Sequence, residues 1–137
     1  MKSLNHATQT LDFLAEDPDL LLAMVFGSTA NGSQRPDSDI DVAVYARNPL
    51  DGRKRQQLAD QIAVATGRTV DLIDLRNVEG ALLRRILHSG RVIFSKVPST
   101  LGSLSEQLLD WQENFEPQLN ELLATRLRRF TSPLHGS

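Results

Sequence analysis

The chain has 137 residues, of which 40% are hydrophobic and 23% charged, and its formal net charge is −2. This composition is typical of one globular domain, and the slightly negative charge gives no electrostatic basis for binding a nucleic-acid backbone. The absence of cysteine excludes disulfides and thiolate metal sites. No apolar run has membrane-spanning length and the N-terminus carries no signal pattern, so we expect a cytoplasmic protein.

The hydrophobic pattern predicts alternating helices and strands. A loosely periodic helix is predicted at residues 3–16 and ends at Asp17-Pro18-Asp19. The unbroken apolar run at 20–26 predicts a strand that is buried on both faces. Further strands are predicted at 39–46, 69–75 and 91–94, and further helices at 27–31, 53–66 and 78–87. In the helix at 53–66 we expect four apolar side chains to face inward: Leu58, Ile62, Val64 and Ala65.

The C-terminal part follows a helical pattern. After Pro98, apolar residues keep helical spacing as far as Phe130, and Pro117 is expected to kink or split the helix. We therefore divide the chain into a domain at 1–97 and a helical extension at 98–137. The apolar stripe of this extension either covers the sheet of its own domain or binds a partner protein.

Two carboxylates begin the strand predicted at 39–46. Asp39 and Asp41 lie on one face of that strand, with Cα atoms about 6.6 Å apart and no basic residue between them. Their mutual repulsion would be offset by a pair of divalent cations about 3.5–4 Å apart. Upstream, Gly27-Ser28 leads from a strand into a helix, where backbone N–H groups and a hydroxyl can bind phosphate oxygens. The stretch therefore predicts a site for a nucleoside triphosphate with magnesium.

A third carboxylate is available on the strand predicted at 69–75. Asp71 and Asp74 are three residues apart, so their side chains point to opposite faces of that strand. One of them can complete the site, and the other then closes the strand or caps the helix that follows.

The spacing G-S-x10-D-x-D, formed by Gly27, Ser28, Asp39 and Asp41, resembles the signature of the DNA polymerase β-like nucleotidyltransferase superfamily. The run GSTANG…RPDSDIDVAV is similar to the minimal nucleotidyltransferase (MNT) branch of that superfamily. The resemblance implies an α/β fold, with a small mixed sheet of about four strands flanked by helices, and it makes residues 1–97 the MNT domain. The branch commonly has GSRARG at this turn, whereas this chain has GSTANG.

The resemblance also implies roles for five residues. Asp39 and Asp41 would hold two Mg²⁺ ions, and Gly27 and Ser28 would bind the phosphates of ATP. The third aspartate of the family follows a β-branched residue early in its strand, which matches Asp71. This residue would bind the catalytic metal and help to activate the attacking hydroxyl.

MNT proteins of this size resemble antitoxins whose partner is a HEPN-domain ribonuclease toxin. The resemblance implies transfer of AMP from ATP to a tyrosine of that toxin, which would silence it. Two alternatives remain open: a nucleotidyltransferase for a small molecule such as an aminoglycoside, and a binding-only antitoxin with a vestigial site. A short chain leaves the site open, and an open site favours a protein acceptor.

Other chemical candidates are weaker. Gly27 and Gly32 have the spacing of a Walker A motif, but the Lys and Ser/Thr that this motif requires are missing. Four basic residues could attract a triphosphate, although most such residues are simply solvated: Arg35, Arg47, Lys54 and Arg55. The three histidines are far apart in sequence and form no ligand cluster: His6, His88 and His135.

Overall fold

The structure is a computed structural model that describes residues 10–27 and 39–131, with side chains described for 10–27 and 39–125. These residues form four strands: β1 (Leu20–Val25), β2 (Ile40–Ala46), β3 (Val70–Asp74) and β4 (Arg91–Ser95). They also form four α-helices: α1 (Gly52–Thr66), α2 (Gly80–Ser89), α3 (Pro98–Asn114) and α4 (Glu116–Thr131). Two 3₁₀-helices lie at Asp12–Glu16 and Leu75–Asn77.

The strands form one mixed sheet in the order β3-β2-β1-β4. β2 and β3 are parallel, whereas β1 is antiparallel to both β2 and β4. The apolar run LLLAMV of β1 is central in the sheet and buried at five of its six positions. The predicted α/β fold with a mixed four-stranded sheet is confirmed.

Each face of the sheet carries its own apolar cluster. One face is covered by α1, and its cluster includes Ile40, Val42, Val44, Leu58 and Ile62. The other face is covered by α2 and α3, and its cluster includes Ala43, Leu83, Ile86, Leu104 and Leu108. The alternation along β2 therefore divides its side chains between the two faces as predicted. Asp41 belongs to the face that α2 and α3 cover.

Two predictions about helices were wrong. Val64 is 86% exposed and Ala65 is also exposed, although we expected both to face inward. Val64 follows the buried Ile62 by two residues, which is about 200° around the helix, so it faces solvent. The helix predicted up to residue 16 does not run to its end as an α-helix, because Asp12–Glu16 form a 3₁₀-helix.

The C-terminal segment is split where Pro117 predicts it. α3 ends at Asn114 and α4 begins at Glu116, so Pro117 falls in the first turn of α4, where its missing N–H breaks no helical hydrogen bond. α4 packs against α3, and Arg84 of α2 forms an ion pair with Glu116 at 2.9 Å. Among the described side chains of α4, none is fully buried. Within the described residues, no helix has the length and apolar character needed to cross a membrane.

Candidate active site

The parallel pairing of β2 and β3 brings two predicted site residues together. Asp41 and Asp71 are direct neighbours across the two strands, so their Cα atoms lie about 4.8 Å apart. Side chains in register on adjacent strands point to the same face. Asp41 is half-buried and Asp71 is exposed, so the pair lies where the sheet meets solvent.

Asp39 lies immediately before β2, beside the residue that precedes β3. The hydroxyl of Thr69 donates a hydrogen bond to Oδ1 of Asp39, and the backbone N–H of Ile40 donates to the carbonyl of Thr69 at 3.0 Å. These bonds join the N-terminal ends of the two strands. Asp39 is therefore held at the same end of the sheet as Asp41 and Asp71.

Gly27 brings the backbone after β1 against the Asp41 side chain. Its φ is +63°, a conformation that favours glycine. A Cβ on Gly27 would lie 2.6 Å from Oδ2 of Asp41 and 3.5 Å from Nη2 of Arg85. A side chain at this position would collide with the carboxylate, so glycine is required both for its conformation and for its size.

The charges of the site act on Asp41. Burial raises the pKa of the Asp41 carboxyl above its ordinary value, and the neighbouring charges of Asp71 and Asp39 raise it further. The guanidinium of Arg85 opposes this increase. Three carboxylates thus repel one another at one end of the sheet, and Arg85 is a cation of the described part of the chain that acts on Asp41.

The chemistry of these residues fits a magnesium site. Carboxylate oxygens are the protein ligands that Mg²⁺ prefers, and a divalent cation would offset the repulsion among Asp39, Asp41 and Asp71. As the described side chains stand, no three His, Cys, Asp or Glu residues are arranged to hold a metal ion. Asp39 instead accepts the hydrogen bond from Thr69. The assignment of metal ligands therefore stays a prediction, and it requires the carboxylates to reorient when an ion binds.

A comparison with models of known protein families identifies the family of this chain. The model of the family described as "Polymerase beta, Nucleotidyltransferase" matches residues 8–99. This chain belongs to that nucleotidyltransferase family. The matched range includes the Gly27 turn and all three strands that carry or flank the carboxylates.

Individual members of the family are also similar to this chain. The protein adenylyltransferase MntA of Shewanella oneidensis is 39% identical over 77 residues, which are 56% of this chain and 55% of that relative. The match therefore spans about half of MntA.

Solved structures of relatives match a larger part of this chain than the MntA sequence does. A crystal structure of a toxin–antitoxin with AMP-PNP matches with 25% identity and a TM-score of 0.73, covering 90% of this chain and 98% of that one. An MNT antitoxin, in complex with a tri-AMPylated HEPN toxin of Shewanella oneidensis, has the same fold, with 24% identity, a TM-score of 0.68, and 93% and 99% coverage. These two matches cover 90% and 93% of this chain.

Other predicted candidates have structural partners. Asp74 is 4% exposed and caps the 3₁₀-helix after β3, accepting a hydrogen bond from the backbone N–H of Arg76 at 3.0 Å, so the capping role is confirmed. Lys54 forms an ion pair with Asp17 at 2.6 Å. Arg47 donates to the carbonyl of Pro18 at 2.9 Å. Arg55 and His88 are exposed, and four candidates lie outside the described residues: His6, Ser28, Arg35 and His135.

Two residues at the candidate site were missed by sequence reasoning. Thr69 contacts Asp39, and its only sequence signal is its position two residues before Asp71. Arg85 lies beside Gly27 and Asp41. In sequence it is one of two adjacent arginines on a predicted helix, and only the packing of α2 on the sheet distinguishes it from Arg84.

Proposed function

We propose that this chain is a cytoplasmic, Mg²⁺-dependent protein adenylyltransferase, which transfers AMP from ATP to a tyrosine hydroxyl of a cognate HEPN ribonuclease toxin and so acts as its antitoxin. The observation that carries the proposal is the placement of Asp41 beside Asp71, with the Gly27 backbone against the Asp41 carboxylate. A metal-bound triphosphate needs acidic ligands next to a glycine turn. Family membership and the 39% identity to a protein adenylyltransferase support the same activity.

Each site residue has a role in this reaction. Asp39, Asp41 and Asp71 would hold two Mg²⁺ ions, which when bound neutralise charge on the phosphates. Gly27 lets the backbone approach the β- and γ-phosphates closely, and Ser28 supplies a hydroxyl to them. Thr69 holds the Asp39 carboxylate at this end of the sheet through its hydrogen bond, which Asp39 would exchange for the metal when an ion binds.

The transfer itself is an in-line displacement. The tyrosine oxygen attacks the α-phosphorus of ATP, the bond from this phosphorus to the β-phosphate oxygen breaks, and pyrophosphate leaves with the electron pair. The hydroxyl proton passes to the Asp71 carboxylate, which faces solvent and can release it. Positioning and charge neutralisation carry such a reaction, so a domain of this size is sufficient.

We assign docking of the toxin to the outer face of α4. Its apolar side chains are 43–49% exposed at three positions with helical spacing: Leu119, Leu122 and Leu123. Phe115, one turn earlier, is 56% exposed. A contiguous apolar helix face is a feature of protein-binding surfaces. The toxin is the proposed occupant because a relative with the same fold over 90% of this chain was crystallised as a toxin–antitoxin with AMP-PNP.

Two other functions make different predictions. A small-molecule nucleotidyltransferase would modify an acceptor such as an aminoglycoside in the absence of any toxin. A binding-only antitoxin would neutralise its toxin without chemistry. The placement of Asp39, Asp41 and Asp71 at one end of the sheet favours an enzyme, because repulsion among carboxylates is a cost that a binding surface does not require.

Intact-mass spectrometry of a cognate HEPN toxin, co-expressed with this chain, tests the proposal. The toxin is incubated with ATP, Mg²⁺ and either the wild-type chain or the Asp39→Asn/Asp41→Asn variant. We expect the toxin to gain one or more AMP masses with the wild type and none with the variant or with EDTA. Asp60→Asn, an exposed carboxylate on α1, is the matched control and should modify the toxin normally.

The other outcomes identify the alternatives. An unmodified toxin that still forms a complex with the wild-type chain indicates a binding-only antitoxin. An unmodified toxin and no complex, with AMP transferred to an aminoglycoside instead, indicates the small-molecule enzyme. Either result contradicts the proposed function.

A further inference from the structure

Arg85 reaches the candidate site from α2, a helix that the sequence motif does not include. Its Nη2 lies 3.5 Å from the position that a Cβ would take on Gly27, and Oδ2 of Asp41 lies 2.6 Å from the same position. The guanidinium and the carboxylate therefore both lie against the backbone turn at which a triphosphate is expected to bind.

The neighbouring arginine provides a contrast. Successive helical residues point about 100° apart, so Arg84 and Arg85 leave α2 in different directions. Arg84 forms an ion pair with Glu116 of α4 at 2.9 Å. The other ion pairs found among the described side chains join Lys54 to Asp17 and to Asp19. None of these ion pairs includes Arg85. Its guanidinium instead lies beside Gly27 and acts electrostatically on Asp41.

We propose that Arg85 is a phosphate-binding residue, which contacts the triphosphate of the bound nucleotide beside Gly27. This inference rests on the proposed nucleotidyltransferase function. A planar guanidinium matches two phosphate oxygens with parallel hydrogen bonds, and such charge-assisted bonds are strong. The segment 27–34 has no Lys or Arg. A cation from α2 would supply positive charge that the sequence lacks between Gly27 and Arg35.

A second role for Arg85 is that of a counter-charge for Asp41, and the two roles have different consequences. If Arg85 only balances the carboxylate, removing its charge should strengthen the attraction of divalent cations and should not weaken the binding of ATP more than that of AMP. If Arg85 contacts the triphosphate, removing its charge should weaken ATP much more than AMP, because AMP lacks the β- and γ-phosphates.

Calorimetric titration of ATP and of AMP, with Mg²⁺ and without toxin, distinguishes these roles. For Arg85→Gln we expect the Kd for ATP to rise about tenfold or more and the Kd for AMP to change less than about twofold. Arg85→Lys should fall between Arg85→Gln and the wild type. Arg84→Gln, which removes the adjacent arginine, should leave both Kd values within about twofold.

The inference is overturned if Arg85→Gln leaves the Kd for ATP unchanged, or if it raises the Kd for ATP and the Kd for AMP by the same factor. Failure of the wild-type chain to bind ATP would overturn both this inference and the proposed function. Normal ATP binding and toxin modification by the wild type, with an unaffected Arg85→Gln variant, would overturn the role of Arg85 alone.

Discussion

The carboxylate of Asp41 occupies the space that any side chain on Gly27 would need, since a Cβ there would lie 2.6 Å from Oδ2. Asp41 is also in register with Asp71 across the parallel strands. At the scale of single residues, the site therefore depends on one close approach of backbone to carboxylate. Both partners lie in the motif that the sequence displays.

Replacing Gly27 by alanine should disrupt the site more than the fold. The φ of +63° makes alanine about 1–2 kcal/mol less favourable than glycine, and the new methyl group displaces the Asp41 carboxylate. We expect AMP transfer per folded molecule to fall by about tenfold or more. Thermal unfolding and toxin mass measure the two effects separately.

Gly67→Ala is the matched control for this substitution. Gly67 has a φ of +73°, but a Cβ there meets nothing within 4 Å. The Gly67→Ala variant should lose a similar amount of stability and keep its activity. Equal loss of activity in both variants would show that Gly27 acts only through the fold.

The ion pair of Asp17 with Lys54 predicts a pH dependence of stability. Burial acts to raise the Asp17 pKa, but the hydrogen bonds from Lys54 and the Asp19 backbone, together with the charges of Lys54 and Lys96, outweigh it, and the pKa is lowered. A lowered folded-state pKa stabilises the fold above the unfolded value of about 4, and this contribution disappears as the pH falls through the folded value. The same pair raises the Lys54 pKa, so its contribution is lost again when the pH rises above the ordinary lysine range.

Urea unfolding at pH 7 and pH 3 measures this contribution. Between pH 7 and pH 3, the free energy of unfolding should fall by about 1 kcal/mol more in the wild type than in Lys54→Met. Arg53→Met, next to Lys54 and exposed, is the control and should behave as the wild type. An identical loss in all three proteins would show that the pair does not stabilise the fold.

At the scale of elements, most of the strands and helices could be predicted, because their periodicities reflect burial directly. The strand at β2 alternates between two covered faces, and Pro117 separates α3 from α4 as expected. The error at Val64 arose because an apolar residue near a helix end was counted as buried whatever its angle around the axis. A residue about 200° from Ile62 cannot face the same sheet.

The exposed face of α4 gives a prediction for toxin binding. Leu122 is 49% exposed, so Leu122→Asp should lower the free energy of unfolding by only about 1 kcal/mol, through the loss of its covered surface and the poorer helix propensity of aspartate. If the toxin covers this face, the same change should weaken the complex by about tenfold or more. Thermal unfolding of the free chain and titration with toxin provide the two values.

Ala124→Asp introduces the same charge at an exposed position of α4 about 200° from Leu122, and it should leave toxin binding unchanged. Normal toxin binding by Leu122→Asp would contradict the assigned docking face. Self-association of the wild-type chain that Leu122→Asp abolishes, with toxin binding retained, would assign the face to a second copy of the chain.

At the scale of the whole molecule, the candidate site was predictable only in part. The motif identified Asp39 and Asp41, whereas spacing alone left Asp71 and Asp74 as alternatives. The parallel register of β2 and β3 distinguishes the two candidates. It places Asp71 beside Asp41, whereas Asp74 is a buried cap of the 3₁₀-helix. Arg85 could not be found from the sequence, because its proximity depends on how α2 packs against the sheet.

The central claim is that the carboxylates at the end of the sheet with Asp41 and Asp71 carry out the AMP transfer. A comparison of two aspartate variants tests this claim most directly. AMP transfer to the toxin is measured per folded molecule for Asp71→Ala and Asp74→Ala. Asp71 is exposed, so its variant should keep its stability within about 0.5 kcal/mol and lose activity by about 100-fold or more. Asp74 is a buried cap, so its variant should lose about 1–3 kcal/mol of stability and keep its activity. Full activity of Asp71→Ala, or a loss confined to Asp74→Ala, would contradict this account.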